Sequence, residues 1–229
     1  VKPIKIKFPY PVHFPQHFLS RVELVLEEKK PRGLLGANGI GKTSFISFLK
    51  HHKKDFFSSL EVTFLDQLPL APLGQVRPID LFSMLANLFP KRIINTDLAK
   101  YPLIERFDFG QKLKTPIKSL SGGENQILKL LAAFYVRSDL FVLDEPSNHL
   151  DQKRIQVLIN LINEIAIEDR FFLIVDHQKN FLLKVCSQFS VLSPIVNSDN
   201  CCELQLESKS LNEVEQEYFA QMAGPIYAQ

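Results

Sequence analysis

The chain has 229 residues, 45% of them hydrophobic, and its 27 basic and 25 acidic residues leave a formal charge of +2. That is enough apolar content for one sizeable core with a small subdomain; the near-balance of charge predicts neither a nucleic-acid tail nor an acidic binder, and no specific DNA binding is expected. Cys186, Cys201 and Cys202 are an odd set with two members adjacent, which implies no disulfide framework.

No apolar stretch approaches the roughly 20 residues that span a bilayer. Runs such as residues 171–175 are strand-sized. Residues 1–7 alternate Lys with apolar residues, lack a long hydrophobic run, and are not expected to be a secretory signal. The Cys201-Cys202 pair has no matching Cys/His pair nearby, and structural zinc normally takes four ligands.

Residues 22–27 alternate apolar with polar, apart from Val25, and read as a strand with one exposed face. Residues 32–35 read as a short buried strand. It feeds Gly36-Ala37-Asn38-Gly39-Ile40-Gly41-Lys42-Thr43, a Gly, four residues, then Gly-Lys-Thr. Glycines let backbone N–H groups approach phosphate oxygens without a Cβ in the way. The helix expected over 42–50 turns the positive end of its dipole to the same place. Lys42 can reach β- and γ-phosphates, and the Thr43 hydroxyl suits Mg²⁺. With Ser44 in the first helical turn, these residues are the candidate phosphate cradle. The run His51-His52-Lys53-Lys54 reads as a solvated helix end, where cations offset the dipole, in preference to an RNA contact.

Residues 61–65 form another expected strand, ending at Asp66-Gln67. Residues 68–119 change character. Pro69, Pro72, Pro78, Pro90, Pro102 and Pro116 punctuate helical spacing over 79–88 and 97–107. This segment reads as a small helical subdomain inserted in an α/β core made of 1–67 and 120–229. Leu120-Ser121-Gly122-Gly123-Glu124 then opens a long helix expected over 122–136, a second helix start suited to an anion. A strand over 140–143 ends in Asp144 and Glu145, about 100 residues past the glycine-rich loop. Asp144 is placed to hold Mg²⁺. Glu145 is placed to polarise a water in line with a γ-phosphate. A helix over 152–167, a strand over 171–175 followed by His177, a helix near 180–188, weaker strands near 189–192 and 202–206 and a last helix near 211–222 follow. Alternating strands and helices predict one α/β domain over 1–229, a P-loop core with a mostly parallel sheet and an antiparallel β element.

These motifs in this order resemble the ATP-binding cassette (ABC) ATPases over nearly the whole chain, and Leu120-Ser121-Gly122-Gly123 resembles that family's own signature. The resemblance implies that Ser121, Gly122, Gly123 and Glu124 serve the γ-phosphate bound by another cassette. Two cassettes, copies or paralogues, would then meet head to tail around two ATP–Mg²⁺. It implies that Gln67, 25 residues after Lys42 (67 − 42), touches Mg²⁺ or the attacking water. Alone, His177 would read as a strand-end histidine; within the set it matches the switch histidine at the γ-phosphate. Ser147-Asn148-His149-Leu150-Asp151 matches the D-loop, with Asp151 at the dimer seam. The implied catalytic set is Glu145, His177 and Gln67, and the implied metal set is Thr43, Gln67 and Asp144. The family stacks an aromatic on adenine ahead of the P-loop. Tyr10, 26 residues before Gly36 (36 − 10), is the choice, with Phe8, Phe14 and Phe18 as neighbours that fit a core role equally. Ile127 stands where many cassettes carry Arg, and Asp176 where Ser or Thr is commoner. Neither departure removes a catalytic group, so an active ATPase is expected.

Two partners are compatible with this resemblance. A single cassette of this length fits the ATPase subunit of a transporter, cytoplasmic and held on the inner face of a membrane. A permease subunit would dock a short helix near residues 68–105. Asn148-His149-Leu150-Asp151 is instead typical of the F-type cassette proteins that act on the ribosome, which usually carry two cassettes and a charged linker. Length favours the transporter reading.

Overall fold

Phe171–Val175 is apolar at every position because both faces of its strand are covered. The computed structural model describes residues 3–7, 12–14, 17–19, 23–65, 74–94, 97–196 and 202–219. In chain order these form β1 (Ile4–Lys7), β2 (Val12–Phe14), β3 (His17–Leu19), β4 (Glu23–Leu26), β5 (Arg32–Gly36), α1 (Lys42–His51), α2 (Lys53–Phe56) and β6 (Val62–Leu65). Next come α3 (Pro78–Leu88), α4 (Pro102–Arg106), α5 (Gly122–Tyr135), β7 (Leu140–Asp144), α6 (Gln152–Ala166), β8 (Phe171–Val175), α7 (Lys179–Val185), β9 (Gln188–Val196), β10 (Cys202–Ser210) and α8 (Leu211–Glu213). Eight strands make one sheet in the order β2-β3-β10-β9-β5-β8-β7-β6. The run from β9 to β6 is parallel, β10 returns antiparallel to β9, and β1 and β4 form a separate antiparallel ribbon.

Side-chain alternation along each strand divides the core in two. Leu34, Val142, Phe171, Leu173 and Val175 face Phe45, Ile46 and Leu49 of α1 and Leu24 and Leu26 of β4. Phe141, Leu143, Phe172 and Ile174 face the other way, onto Leu128 and Leu131 of α5, Leu158 and Ile162 of α6 and Phe181 of α7. At Gly33 a Cβ would sit 2.7 Å from the Phe189 ring, so only glycine lets β9 lie this close. Buried Arg32 ties three strands together. Its Nη1 donates to Phe189 O, Ser190 Oγ and Ser208 Oγ at 3.1–3.2 Å, and its Nη2 donates to Gln188 Oε1 at 2.6 Å.

Several elements differ from the sequence expectation. The helix expected over 97–107 is broken into a 3₁₀ turn, Leu98–Lys100, and α4. Pro102 crowds the residue before it out of the helical region, and Tyr101 is extended at φ −75°, ψ 105°. The Tyr101 ring is buried and its hydroxyl donates to Leu131 O at 3.1 Å. Strands β9 and β10 pair continuously from Gln188↔Ser210 to Val196↔Cys202, longer than their apolar cores. Gln188 begins β9 instead of ending α7. Strands β1, β2 and β3 are short and were not anticipated. After α8 a π-helical stretch runs over Val214–Phe219, and residues 220–222 of the expected last helix lie outside the described residues. Among the described residues no helix is long and apolar enough to cross a membrane.

Candidate nucleotide site

The site lies beyond the carboxyl ends of β5, β7 and β8, where loops from a parallel sheet converge. Gly36 closes β5, and α1 begins at Lys42. Gly39 at φ 77° and Gly41 at φ 106° are in the left-handed region. A Cβ at either would meet nothing within 4 Å, so it is backbone conformation that demands glycine there. Ala37, Asn38 and Gly39 are exposed and Ile40 half-buried, with Thr43 and Ser44 exposed on the first turn of α1. Lys42 is 8% exposed and curls over its own loop, its Nζ donating to Gly36 O at 2.7 Å and Ala37 O at 3.0 Å. Burial draws the Lys42 ammonium below its ordinary pKa, and the negative charges of Glu145 and Asp144 push back.

Asp144, 2% exposed, is the last residue of β7. Glu145 follows at φ 50°, a left-handed conformation unusual for a residue with a side chain. Its N–H donates to Val175 O at 2.7 Å, fixing the turn to the end of β8. Its Oε1 lies 2.6 Å from His177 Nε2, and its Oε2 accepts from Asn148 Nδ2 at 3.2 Å. The fold therefore brings together Lys42, Asp144, Glu145 and His177. Gln67 and Tyr10, and with them Cys201, lie outside the described residues.

Two further residues hold this turn; the sequence marks Asp176 only as a departure from the family pattern and gives Gln126 no role. Gln126, 7% exposed, reaches from α5 and its Nε2 donates to Glu145 O at 3.0 Å and Pro146 O at 3.1 Å. The available signal was an amide on the helix face that also carries Leu130 and Phe134. Asp176 accepts from Ser147 N at 3.0 Å, Ser147 Oγ at 2.8 Å and Gln178 N at 2.8 Å. Burial pushes its carboxyl above the usual range, against the pull of those bonds. Its signal was an acid directly after an all-apolar strand.

Ser121 is the N-cap of α5. Its Oγ accepts from Glu124 N at 3.3 Å while Glu124 Oε2 accepts from Ser121 N at 2.8 Å, a reciprocal capping box. Lys112 Nζ sits 2.9 Å from Glu124 Oε1, and this hydrogen bond, with that from the Ser121 backbone, holds the Glu124 carboxyl below its ordinary range. Gly122 and Gly123 back onto His149, itself at φ 60°; a Cβ on Gly123 would lie 2.8 Å from His149 O. Asp151 caps α6, its Oδ1 accepting from Arg154 N at 2.9 Å. As a donor set for a metal, the Asp144 carboxylate and Thr43 hydroxyl are the hard oxygens Mg²⁺ prefers. They lie on β7 and α1, which pack against each other.

Residues 19–148 match the family model described as ABC transporter. Elongation factor 3B of Saccharomyces cerevisiae is 29% identical over 171 residues, 73% of this chain; the chain spans 16% of that factor's length. The lipoprotein-releasing system ATP-binding protein LolD of Buchnera aphidicola is 24% identical over 206 residues, 78% of this chain and 87% of that protein. Among solved structures, the complex of archaeal ribosomal stalk protein aP1 and archaeal ribosome recycling factor aABCE1 superimposes with a TM-score of 0.76 at 20% identity. The match covers 97% of this chain and 43% of that one, a likeness of fold.

Proposed function

The chain belongs to the ABC transporter family, and we propose that it is an ATP-hydrolysing cassette, a core of residues 1–67 and 120–229 with a helical insert at 68–119. The observation that carries this reading is the 2.6 Å contact of Glu145 with His177, formed where the charges of Glu145 and Asp144 act on Lys42. In this reading the backbone N–H groups of residues 36–41 and the ammonium of Lys42 bind the β- and γ-phosphates. Thr43, Asp144 and Gln67 would hold Mg²⁺, which when bound offsets charge on the phosphate oxygens. Glu145 accepts a hydrogen bond from the attacking water and aligns it with the γ-phosphorus. His177 orients that carboxylate and the γ-phosphate, and Tyr10 stacks on adenine.

Ser121, Gly122, Gly123 and Asp151 serve a second cassette, so that ATP closes the pair and hydrolysis opens it. For the partner, Asn148-His149-Leu150-Asp151 and the likeness to elongation factor 3B favour the ribosome. A permease, which would hold the cassette on the inner face of a membrane, is the second reading. The match to LolD over most of that protein's length favours it.

Glu145→Gln tests both levels. With ATP and Mg²⁺ it is expected to run as a pair on size exclusion and to turn over slowly. A strictly monomeric variant under ATP would count against the two-cassette site. Tagged Glu145→Gln held in ATP should then retain ribosomal particles; a polytopic membrane protein in the eluate would reverse the choice of partner.

A further inference from the structure

We infer that Asp176 is a positioning residue for hydrolysis, clasping Ser147 so that the turn carrying Glu145 meets His177. The inference rests on the roles proposed above for Glu145 and His177. Two loops must be brought into register for that pair to form, one after β7 and one after β8. Asp176 sits in the second, next to His177, and grips the first at Ser147, which is fully buried. Three donors meet its two oxygens: Ser147 N, Ser147 Oγ and Gln178 N. A hydroxyl at this position offers one oxygen and a shorter reach, so it could not receive all three.

The first loop needs such a grip. Ser147 lies between Glu145 at φ 50° and His149 at φ 60°, two non-glycine residues in the left-handed region. Conformations of this kind persist only where neighbouring structure fixes them. Gln178 Nε2 adds a weaker strut to Ser147 O at 3.4 Å. Asp176 is also a buried carboxyl, which is costly unless its hydrogen bonds are complete.

The test is a double-mutant cycle on ATP turnover, with nucleotide affinity measured in parallel. Asp176→Asn keeps the size but turns an N–H₂ toward a backbone donor. It is expected to lower kcat by about 10- to 100-fold, the scale of a small misplacement in a reacting site, with KM for ATP little changed. In a His177→Ala background the same change should lower kcat by less than about 2-fold, because the geometry it secures is already gone. A purely structural role would leave the two effects multiplicative, and that result overturns the inference, as would a change confined to KM. If Asp176→Asn does not fold, Ser147→Ala removes one of the three bonds and is run through the same cycle with the same criteria. If His177→Ala alone turned over like the parent, the site reading itself would fail, and this inference with it.

Discussion

Gln126→Ala removes the prop beneath the turn that carries Glu145. The amide donates to two backbone carbonyls from a site only 7% exposed. Glu145 O also accepts from Asn148 N at 3.2 Å, so it loses one bond of two, worth about 0.5–1.5 kcal/mol. Pro146 O loses the donor that reaches it from α5, and a carbonyl left dry costs about 1–3 kcal/mol. The expected destabilisation is about 3 kcal/mol. In a protein of this size that lowers Tm by roughly 6–12 °C. Thermal and urea unfolding followed by circular dichroism measure it, with Gln126→Met as a control that keeps side-chain volume without the donor. The two variants should fall together, since the lost bonds dominate. A drop of under about 2 °C in both would mean that water replaces the amide and that the turn stands without it.

Lys42→Ala should abolish nucleotide binding or hydrolysis, and parental turnover in that variant would overturn the site. Gly123→Ala should destabilise the fold while Gly122→Ala does not, as read by melting of the isolated chain. A Cβ at Gly123 meets His149 O at 2.8 Å, whereas one at Gly122 meets the His149 ring at an ordinary 3.6 Å. Equal melting points would show that the two loops yield freely. Cys186 is buried, and burial pushes its thiol well above the ordinary range, so it is expected to be unreactive at pH 8 in the native protein. Peptide mapping after alkylation should find it modified only in denaturant; rapid native labelling would contradict the burial of Cys186 beside Gly33 of β5.

What was legible in the sequence followed local rules. A glycine-rich loop between strand and helix has fixed spacing, and strands buried on both faces read as unbroken apolar runs. The mostly parallel sheet and the antiparallel β9–β10 pair follow the expected pattern. The break at Pro102 was missed because helical spacing continues across it, and only the steric demand on Tyr101 divides the two pieces. The short N-terminal strands carry too little pattern to be seen. Gln126 and Asp176 were invisible as functional residues for a different reason. Each acts on a turn far away in the sequence, and only the finished sheet and α5 bring the partners within bonding distance.

The place of β5 in the sheet governs when the protein can first be of use during its own synthesis. Arg32 pairs with Leu173 on one side and Gln188 on the other, so both neighbours of the strand that feeds the glycine loop are made late. By contrast, β6, β7 and β8 can associate as soon as residue 175 has emerged. At about 5–20 residues per second, residue 188 follows residue 36 by roughly 8–30 s. Until residue 175 has emerged the loop has its sequence but no sheet neighbour to anchor it, and from then until residue 188 β5 can pair on one side only, with β8; closing such a long span is slow. A nascent chain cut short before β8 would therefore carry the glycine loop with neither strand neighbour of β5, whereas one cut short between β8 and β9 would hold it from one side alone.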